Sequence, residues 1–383
     1  MKQKIVLILL ISIILGSTLF SLWLFSSNRR SFNQQQKKEQ GLITQKLKIF
    51  RDKKESSEEL FQQALVLYGD KNNIEDSVNL FRKAIKLEPS PVQQAVVKSY
   101  LGLALYRHKD INLRKEGVSL LKSVGEDVSL TDNVRATAVK FLATAIALDH
   151  DYEFAKKYIL TVQPYGDFLK KINRNEDMLG LLYEYSLEFW PDTEAFYGSA
   201  YYLYSQKLIR NEYVGAEQKA AFIDKINEKI KAGDNFYQIE VDSGASSALM
   251  ARMLMLKALL LSDLSTIREV SSNEAIFAFQ NALSMAEVNK ESMDNMNVSF
   301  NTRLSFAIFL FSIYGPEYDQ SEKDYINSFL NPIIEAGPDL LNIPFYDLIA
   351  NEMKLEEKNS ALKKSLNQLI KISPKLRDLL TNL

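Results

Sequence analysis

Few residues in this chain of 383 could bind a metal, because it has no cysteine and two histidines. His108 and the run Asp149-His150-Asp151 could together offer two imidazoles and two carboxylates. Both lie where turns between helices are expected, and turns favour aspartate and other short polar residues. We therefore interpret them as solvent-exposed turn residues and expect neither a metal nor a cofactor. The lack of cysteine also excludes disulfides, thiolate-bound zinc and a cysteine nucleophile.

The sequence carries no catalytic motif of the common kinds. It has no GxxxxGK[ST] phosphate loop, no HExxH zinc motif, no GxSxG nucleophile turn and no dinucleotide-binding glycine pattern. Paired carboxylates such as Glu58-Glu59 lie on predicted helix surfaces, where exposed charge is the ordinary interpretation. We therefore expect no catalytic residues and no enzyme activity. The net charge of −1 gives no reason to expect a nucleic-acid partner.

Nine aromatic residues lie between Tyr183 and Tyr204, and three of them, Tyr197, Tyr201 and Tyr204, share one face of a predicted helix. Aromatic residues at this density can form a binding hot spot for a partner. Helical spacing is more typical of core packing, which is the interpretation we favour.

The elements that position these residues are predicted to be helices. The chain of 383 residues has 14 glycines and 9 prolines. Both fall well below the shares of about 7% and 5% that are usual for these residues. Turns and bulges in many-stranded β proteins need both residues. Apolar residues make up 46% of the chain and charged residues 25%, which is typical of a globular domain and not of disorder. The sequence therefore predicts an all-α protein.

The most specific pattern runs from Glu58 to Pro89. With Glu58 as position 1, the diagnostic positions hold Phe61, Ala64, Leu65, Tyr68, Ser77, Phe81, Ala84 and Pro89. Seven of these eight fit the tetratricopeptide pattern, and Leu65 is larger than usual. Small residues let the two helices of a unit approach, and the aromatics fill the gaps between units. This segment resembles the tetratricopeptide-repeat family.

Weaker copies of the pattern follow. A second unit beginning at Ala95 places Gly102 and Gly117 where its helices should approach most closely, and a third unit begins at Ala136. Further along, three residues repeat the small–aromatic–alanine spacing of the first unit: Ala275, Phe279 and Ala282. Residues 248–261, 296–314 and 318–335 are predicted helices of this later part. The resemblance implies a tetratricopeptide-like solenoid.

The predicted organisation has five segments: a signal anchor (1–27), a basic stalk (28–55), a first repeat lobe (56–232), a connecting loop (233–247) and a second repeat lobe (248–383). The loop is predicted because this stretch has two glycines, several turn formers and a short β-like run, Phe236–Val241. Repeat units cannot bury their apolar faces alone, so we expect the lobes to stack into one superhelix.

Ile5 to Phe25 is an uncharged run of 21 residues, which as a helix is long enough to cross a bilayer. A cleaved signal peptide is the alternative, with its best site at Gly16-Ser17-Thr18, but cleavage there would leave Leu19 to Phe25 exposed. We favour a single transmembrane helix that is not cleaved. The short basic N-terminus favours an extracytoplasmic solenoid, although four basic residues after the span oppose that orientation.

The stalk is basic, and Ile43, Leu47 and Phe50 fall at helical spacing within it. One interpretation is a helix that lies on anionic lipid headgroups. We favour the other, a solvent-exposed stalk whose three apolar residues dock on the first repeat.

In the tetratricopeptide-repeat family, the first helix of each unit lines a concave face that binds partners. Carried over by position, the predicted protein-binding residues are Gln62, Val66, Ser99, Leu103, Tyr106, Lys140 and Thr144. The positions that clamp a C-terminal carboxylate in some members hold Gln62, Val66, Tyr100, Thr137 and Phe141. We therefore do not expect that clamp.

The resemblance implies a membrane-anchored scaffold for protein partners. The architecture is similar to bacterial envelope proteins that have one N-terminal span and exported repeats, so we expect the cell envelope. The alternatives are an enzyme or a secreted ligand-binding protein with an unrecognised α-helical site. An acidic pair inside a closed pocket would favour the enzyme, whereas an open groove without buried charge would favour the scaffold.

Overall fold

The structure is a computed structural model, and it describes residues 56–68, 73–149, 154, 157–158, 175–290, 292–314, 319–336, 361–373 and 375–376. The predicted anchor, which includes Ile5 to Phe25, and the predicted stalk lie outside these residues. Where the chain is described it is all-α and contains no strand, which confirms the predicted fold class. No helix in this part is both long and apolar enough to cross a bilayer.

Most consecutive helices of the described chain pack against each other. The first six are α1 (Ser57–Tyr68), α2 (Ile74–Leu87), α3 (Pro91–Tyr106), α4 (Ile111–Glu126), α5 (Asp132–Asp149) and α6 (Asn175–Leu187). Next, α7 (Thr193–Ser199) continues through a π-helical turn (Ala200–Ser205) into α8 (Gln206–Ile209). The last described helices are α9 (Gly215–Asp242), α10 (Ser247–Thr266), α11 (Ser272–Ala286), α12 (Met293–Tyr314), α13 (Gln320–Ala336) and α14 (Ala361–Ile372).

Polar caps set where several helices begin. The Ser90 side chain accepts a hydrogen bond from the first turn of α3, and Pro91 occupies the first position of that helix, where no intrahelical N–H bond is lost. At the start of α11, Ser271 and Glu274 form a reciprocal capping box. These local signals are why α3 and α11 start where they do.

The α1–α2 pair packs as the spacing of its small and aromatic residues predicts. Ser77 Oγ donates a hydrogen bond to the carbonyl oxygen of Ala64 at 2.8 Å, so the two helices are in close contact there. Phe81 is fully buried. Its ring centroid lies 5.9 Å from that of Phe61 on α1 and 6.3 Å from that of Tyr100 on α3. Phe81 therefore joins the first helix pair to the next.

The same packing recurs at two later positions. A Cβ atom added to Gly117 on α4 would lie 2.5 Å from the carbonyl oxygen of Gly102 on α3, so the α3–α4 approach needs a glycine there. On α11, which packs on α10, the predicted small–aromatic–alanine set is fully buried: Ala275, Phe279 and Ala282. The repeated spacing thus identified core positions correctly in both parts of the chain.

The predicted connecting loop from Gly233 is wrong over its first ten residues. Helix α9 runs through Gly233 to Asp242, and the β-like run Phe236–Val241 is helical. Gly233 serves close packing and not a turn, since a Cβ atom there would lie 2.4 Å from the Tyr197 ring. The Phe196 and Phe236 rings also meet, with centroids 5.5 Å apart. Tertiary packing on α7 therefore outweighs the local turn preference, and Ser57–Leu383 forms one compact unit.

The aromatic segment is interrupted by the π-helical turn at Ala200–Ser205. Tyr197 precedes that turn and is fully buried, whereas Tyr201 and Tyr204 lie within it and are partly exposed. All three pack in one apolar cluster with residues of α9 and α10. The core-packing interpretation therefore holds for Tyr197.

Candidate functional site

The predicted protein-binding residues fall into two groups. Val66 is 59% exposed and Gln62 is also exposed, while Lys140 and Thr144 are partly exposed. The other three, Ser99, Leu103 and Tyr106, are buried on α3.

The burial of α3 has a physical cause that the pattern did not reveal. One side of this helix packs on α1 and α2 through residues such as Leu101 and Leu105. The opposite side packs on α4 and α5 through Leu103 and Tyr106. A helix enclosed on both sides has little surface left for a partner, so the prediction that Ser99, Leu103 and Tyr106 line a groove is wrong.

Three aromatic rings remain partly exposed and link alternate helices. The Phe61 ring on α1 meets the Tyr100 ring on α3 with centroids 5.3 Å apart. The Tyr100 ring in turn meets the Phe141 ring on α5 at 4.9 Å, again nearly edge-on. We call these three residues the aromatic row. Edge-to-face contacts of this kind are favourable, and they hold the rings in fixed orientations.

Beside the row lies a group of four charged residues, Lys140, Asp192, Glu194 and Arg252, which we call the ionic cluster. Lys140 Nζ lies 2.7 Å from Asp192 Oδ2 and 3.8 Å from Glu194 Oε2. Arg252 Nη2 donates to Glu194 Oε2 at 3.0 Å, and the Tyr183 hydroxyl lies 3.3 Å from Glu194 Oε1. The cluster joins α5, the start of α7, and α10.

The start of α7 positions both carboxylates. Asp192 caps this helix by accepting a hydrogen bond from the N–H of Ala195 at 2.9 Å, and Glu194 lies in its first turn, where negative charge suits the helix dipole. Thr193, between them, donates from Oγ1 to the carbonyl of Gly233 and from N–H to the Glu240 carboxylate. These bonds fasten the start of α7 to α9.

Glu194, which is buried, and Lys140, which is partly exposed, both stay charged at neutral pH. Burial alone would raise the pKa of Glu194, but Arg252 and Lys140 outweigh it and hold that pKa below its usual range. Burial alone would lower the pKa of Lys140, and the Asp192 and Glu194 carboxylates raise it above its usual value instead. Fully paired charges of this kind orient side chains, and they are poor proton donors and acceptors at neutral pH.

The sequence did not reveal the ionic cluster, although two signals for it were present. Asp192 and Glu194 follow Pro191 in a pattern typical of a helix start. Arg252 is the only charged residue among the first ten residues of α10, which are otherwise apolar except for Ser247. A lone charge on such a helix needs a partner when it packs.

The start of α12 is fastened to two earlier helices. Asn295 donates from Nδ2 to Ser247 Oγ and to the carbonyl of Ala286, each at 3.0 Å, and this ties α12 to α10 and α11. The preceding Asp294 is exposed. Burial raises the pKa of Tyr100, and the Asp294 carboxylate raises it further, while Arg252 lowers it. We call the aromatic row, with Gln62 and Lys140 next to its rings in the chain, the inner surface.

A second titratable site lies at the π-helical turn. Asp263 on α10 accepts hydrogen bonds from Ser205 Oγ and from Gln206 Nε2, the latter at 2.9 Å. Burial raises the pKa of Asp263 to about 7, and these two donors only partly offset that effect. The Asp263 carboxyl therefore holds the π-helical turn against α10, and it titrates near neutral pH.

His108 is a turn residue, as the sequence predicts. Its Nδ1 accepts a hydrogen bond from the N–H of Asp110 at 3.1 Å, between α3 and α4. The side chains of Asp149-His150-Asp151 lie outside the described residues. Among the described residues there is no group of three or more potential ligands that could hold a metal.

Comparison with known proteins found no family model, no curated protein and no solved structure that matches this chain. Asp192 and Glu194 are both buried, and Lys140 and Arg252 pair with these carboxylates. The three rings of the aromatic row are partly exposed.

Proposed function

We propose that this chain is a membrane-anchored scaffold with tetratricopeptide-like repeats, and that its inner surface binds an extended segment of a partner protein. The observation that carries the proposal is the aromatic row. Its rings lie on α1, α3 and α5, are partly exposed, and hold one another in place. Aromatic and arginine side chains dominate the energetics of protein interfaces.

The spacing of the row fits a short extended ligand. Successive ring centroids lie 5.3 and 4.9 Å apart. An extended chain advances about 3.3–3.6 Å per residue, so about three consecutive residues of a bound segment would span the row. Rings that are already fixed need no further ordering when the segment binds, which lowers the entropic cost of binding.

The membrane anchor would strengthen binding by raising the effective concentration of a partner. Ile5 to Phe25 would hold the inner surface beside the bilayer, and tethering raises the effective concentration of a partner in the same membrane. We place the repeats outside the cytoplasm of a bacterial cell, because the N-terminus has the form of an export signal.

The enzyme alternative has one observation in its favour. The Asp263 carboxyl has a pKa of about 7, which suits a general acid or base. Its hydrogen bonds run to Ser205 and Gln206 within one helical turn, and the aromatic row lies on other helices. The scaffold remains the better-supported proposal.

Replacing Phe141 by serine should reduce the amount of partner that co-purifies with the full-length protein about tenfold or more, because the row would lose its ring on α5. The matched control is Phe277→Ser, which alters a ring on α11 that is 64% exposed. Both variants and the natural protein would be isolated from carbonate-washed membranes and compared by quantitative mass spectrometry. An equal loss of partner in both variants, or no loss with Phe141→Ser at an unchanged melting temperature, would refute the proposed surface.

A further inference from the structure

The π-helical turn at Ala200–Ser205 is held at its end by a carboxyl group from another helix. Turns of this kind are rare and occur mostly as single turns within α-helices. The turn closes where the N–H of Gln206 donates to the carbonyl of Tyr201. The side chains of Ser205 and Gln206, at this same end, both bond to Asp263 on α10. A change in the state of Asp263 therefore acts directly on the turn.

The hydrogen bonds of Asp263 suit a neutral carboxyl group. Ser205 Oγ and Gln206 Nε2 both donate to one oxygen, Oδ2, which leaves Oδ1 to carry a proton. Leu260 and Leu264, close to Asp263 on α10, are buried in an apolar cluster. No ion pair between described residues includes Asp263. A carboxylate here would lose water without gaining a cation, so ionisation is costly while the turn is held.

The charges around Asp263 do not remove this cost. Arg210 on α8 is the charged residue that acts on Asp263, and it lowers the pKa of the carboxyl by less than burial raises it. Arg210 is itself paired, since it lies 3.4 Å from Asp177 Oδ1 and 3.1 Å from Glu212 Oε1. The titratable residues of the surrounding apolar cluster are tyrosines, which are neutral near pH 7: Tyr197, Tyr201, Tyr202, Tyr204, Tyr213 and Tyr237.

The sign of the pH effect follows from linkage. The pKa of Asp263 in the folded protein is about 7, whereas an aspartate in water has a pKa of about 4. The proton therefore binds more tightly when the turn is held than when the carboxyl group reaches water. Holding of the turn is then most favourable below pH about 4, and this advantage is lost as the pH rises to about 7.

We infer that Asp263 is a proton-controlled latch, in which the neutral carboxyl group holds the π-helical turn on α10 and ionisation releases the turn to water. The inference goes beyond the proposed function and does not depend on the partner of the inner surface. It makes the conformation of the segment from α7 to α8 depend on the pH of the surroundings.

Release of the turn would reach other helices through the residues that the turn carries. Leu203 fits against Gly180 on α6, where an added Cβ atom would lie 2.6 Å from the Leu203 side chain. The Tyr202 ring lies nearly parallel to the Tyr183 ring on α6, with centroids 6.1 Å apart. The Tyr183 hydroxyl in turn lies 3.3 Å from Glu194 of the ionic cluster. The latch therefore acts on α6 and on the start of α7.

Hydrogen exchange tests the latch in the full-length protein in detergent. Exchange of the amides of residues 200–209 is measured by mass spectrometry between pH 5 and pH 8, and each rate is divided by the rate of the unstructured sequence at that pH. We expect protection of these amides to fall about tenfold per pH unit from pH 5 to about 7 and to stay level above that. Protection in α2, which packs on α1 and α3, should not follow this course.

Two variants and a control assign the effect to Asp263. Asp263→Asn keeps a carbonyl oxygen for Ser205 and Gln206 but cannot ionise, so protection of residues 200–209 should stay high at every pH. Ser205→Ala removes a donor that lowers the pKa of Asp263, so protection should level off at a higher pH than in the natural protein. The control Asp224→Asn changes an exposed acid on α9 and should keep the natural pH dependence.

Several results would overturn the inference. They are unchanged protection of residues 200–209 between pH 5 and 7, a fall that persists in Asp263→Asn, and an equal fall in α2, which would show a loss of global stability. If Asp263→Asn does not fold, the natural protein and Ser205→Ala decide the question. An unshifted levelling pH in Ser205→Ala would then contradict the latch.

Discussion

Replacement of Phe81 by alanine should lower the free energy of unfolding by about 3–5 kcal/mol, through lost transfer energy and the cavity left behind. Phe81 is fully buried, and its ring meets those of Phe61 and Tyr100. The control Phe277→Ala removes a largely exposed ring and should change stability by no more than about 0.5 kcal/mol. Denaturant titration of the two variants measures the difference.

The loss should also be local. Helices in a stacked array depend chiefly on their neighbours, so Phe81→Ala should reduce hydrogen-exchange protection in α1 to α4 and leave α12 and α13 protected. Mass spectrometry of exchanged peptides resolves this. Equal loss of protection along the whole chain would show a single cooperative globule, and unchanged protection in α1 to α4 would contradict the packing assigned to Phe81.

Replacement of Glu194 by glutamine should cost about 3 kcal/mol, because it leaves Arg252 and Lys140 with one carboxylate fewer in a mostly buried setting. The Glu194 side chain is only 3% exposed and accepts from both Arg252 and Tyr183. The control Glu228→Gln breaks the solvent-exposed pair with Lys225 and should have little measurable effect. Thermal unfolding near neutral pH compares the two.

The same residue sets a pH dependence. The pKa of Glu194 in the folded protein is lower than that of an ordinary glutamate, so its stabilising effect is complete above the ordinary pKa and is lost as the pH falls through the lowered value. The natural protein should therefore lose stability in acid more steeply than Glu194→Gln. Parallel acid-unfolding curves for the two proteins would refute the role given to this carboxylate.

Local patterns predicted the helix pairs well, because close packing of two neighbouring helices demands particular residue sizes at particular spacings. Ser77 and Ala64, or Gly117 and Gly102, can be paired from spacing alone, and each pair meets in the structure. The helix starts after Ser90 and Ser271 are also determined locally, because a capping residue acts within one helical turn.

Long-range partners could not be predicted in this way. The hydrogen bond of Lys140 to Asp192 spans 52 residues, and that of Arg252 to Glu194 spans 58. Local sequence preferences do not determine which residues so far apart in the chain come into contact. The error at Gly233 has the same origin, because the glycine makes room for the ring of Tyr197, which lies 36 residues earlier.

The predicted groove residues show that a residue's position in the repeat pattern does not by itself tell whether its side chain is exposed. Gln62 and Val66 on α1 are exposed, as the family pattern implies. The corresponding side chains of α3 are covered by α4 and α5. Burial of this kind depends on the angle at which successive pairs stack, and that angle is not readable from the repeat spacing.

The most direct test of the account is site-specific photo-cross-linking in cells, because it asks which surface a partner touches. Benzoylphenylalanine would replace Phe141 on the inner surface and, separately, Phe277 on the exposed face of α11. Both substitutions exchange one aromatic ring for a larger one. We predict that a protein adduct forms at position 141, remains in the carbonate-washed membrane fraction, and is at least several times more abundant than any adduct at position 277. Equal adducts at both positions, or none at position 141, would contradict the inner surface as the binding surface.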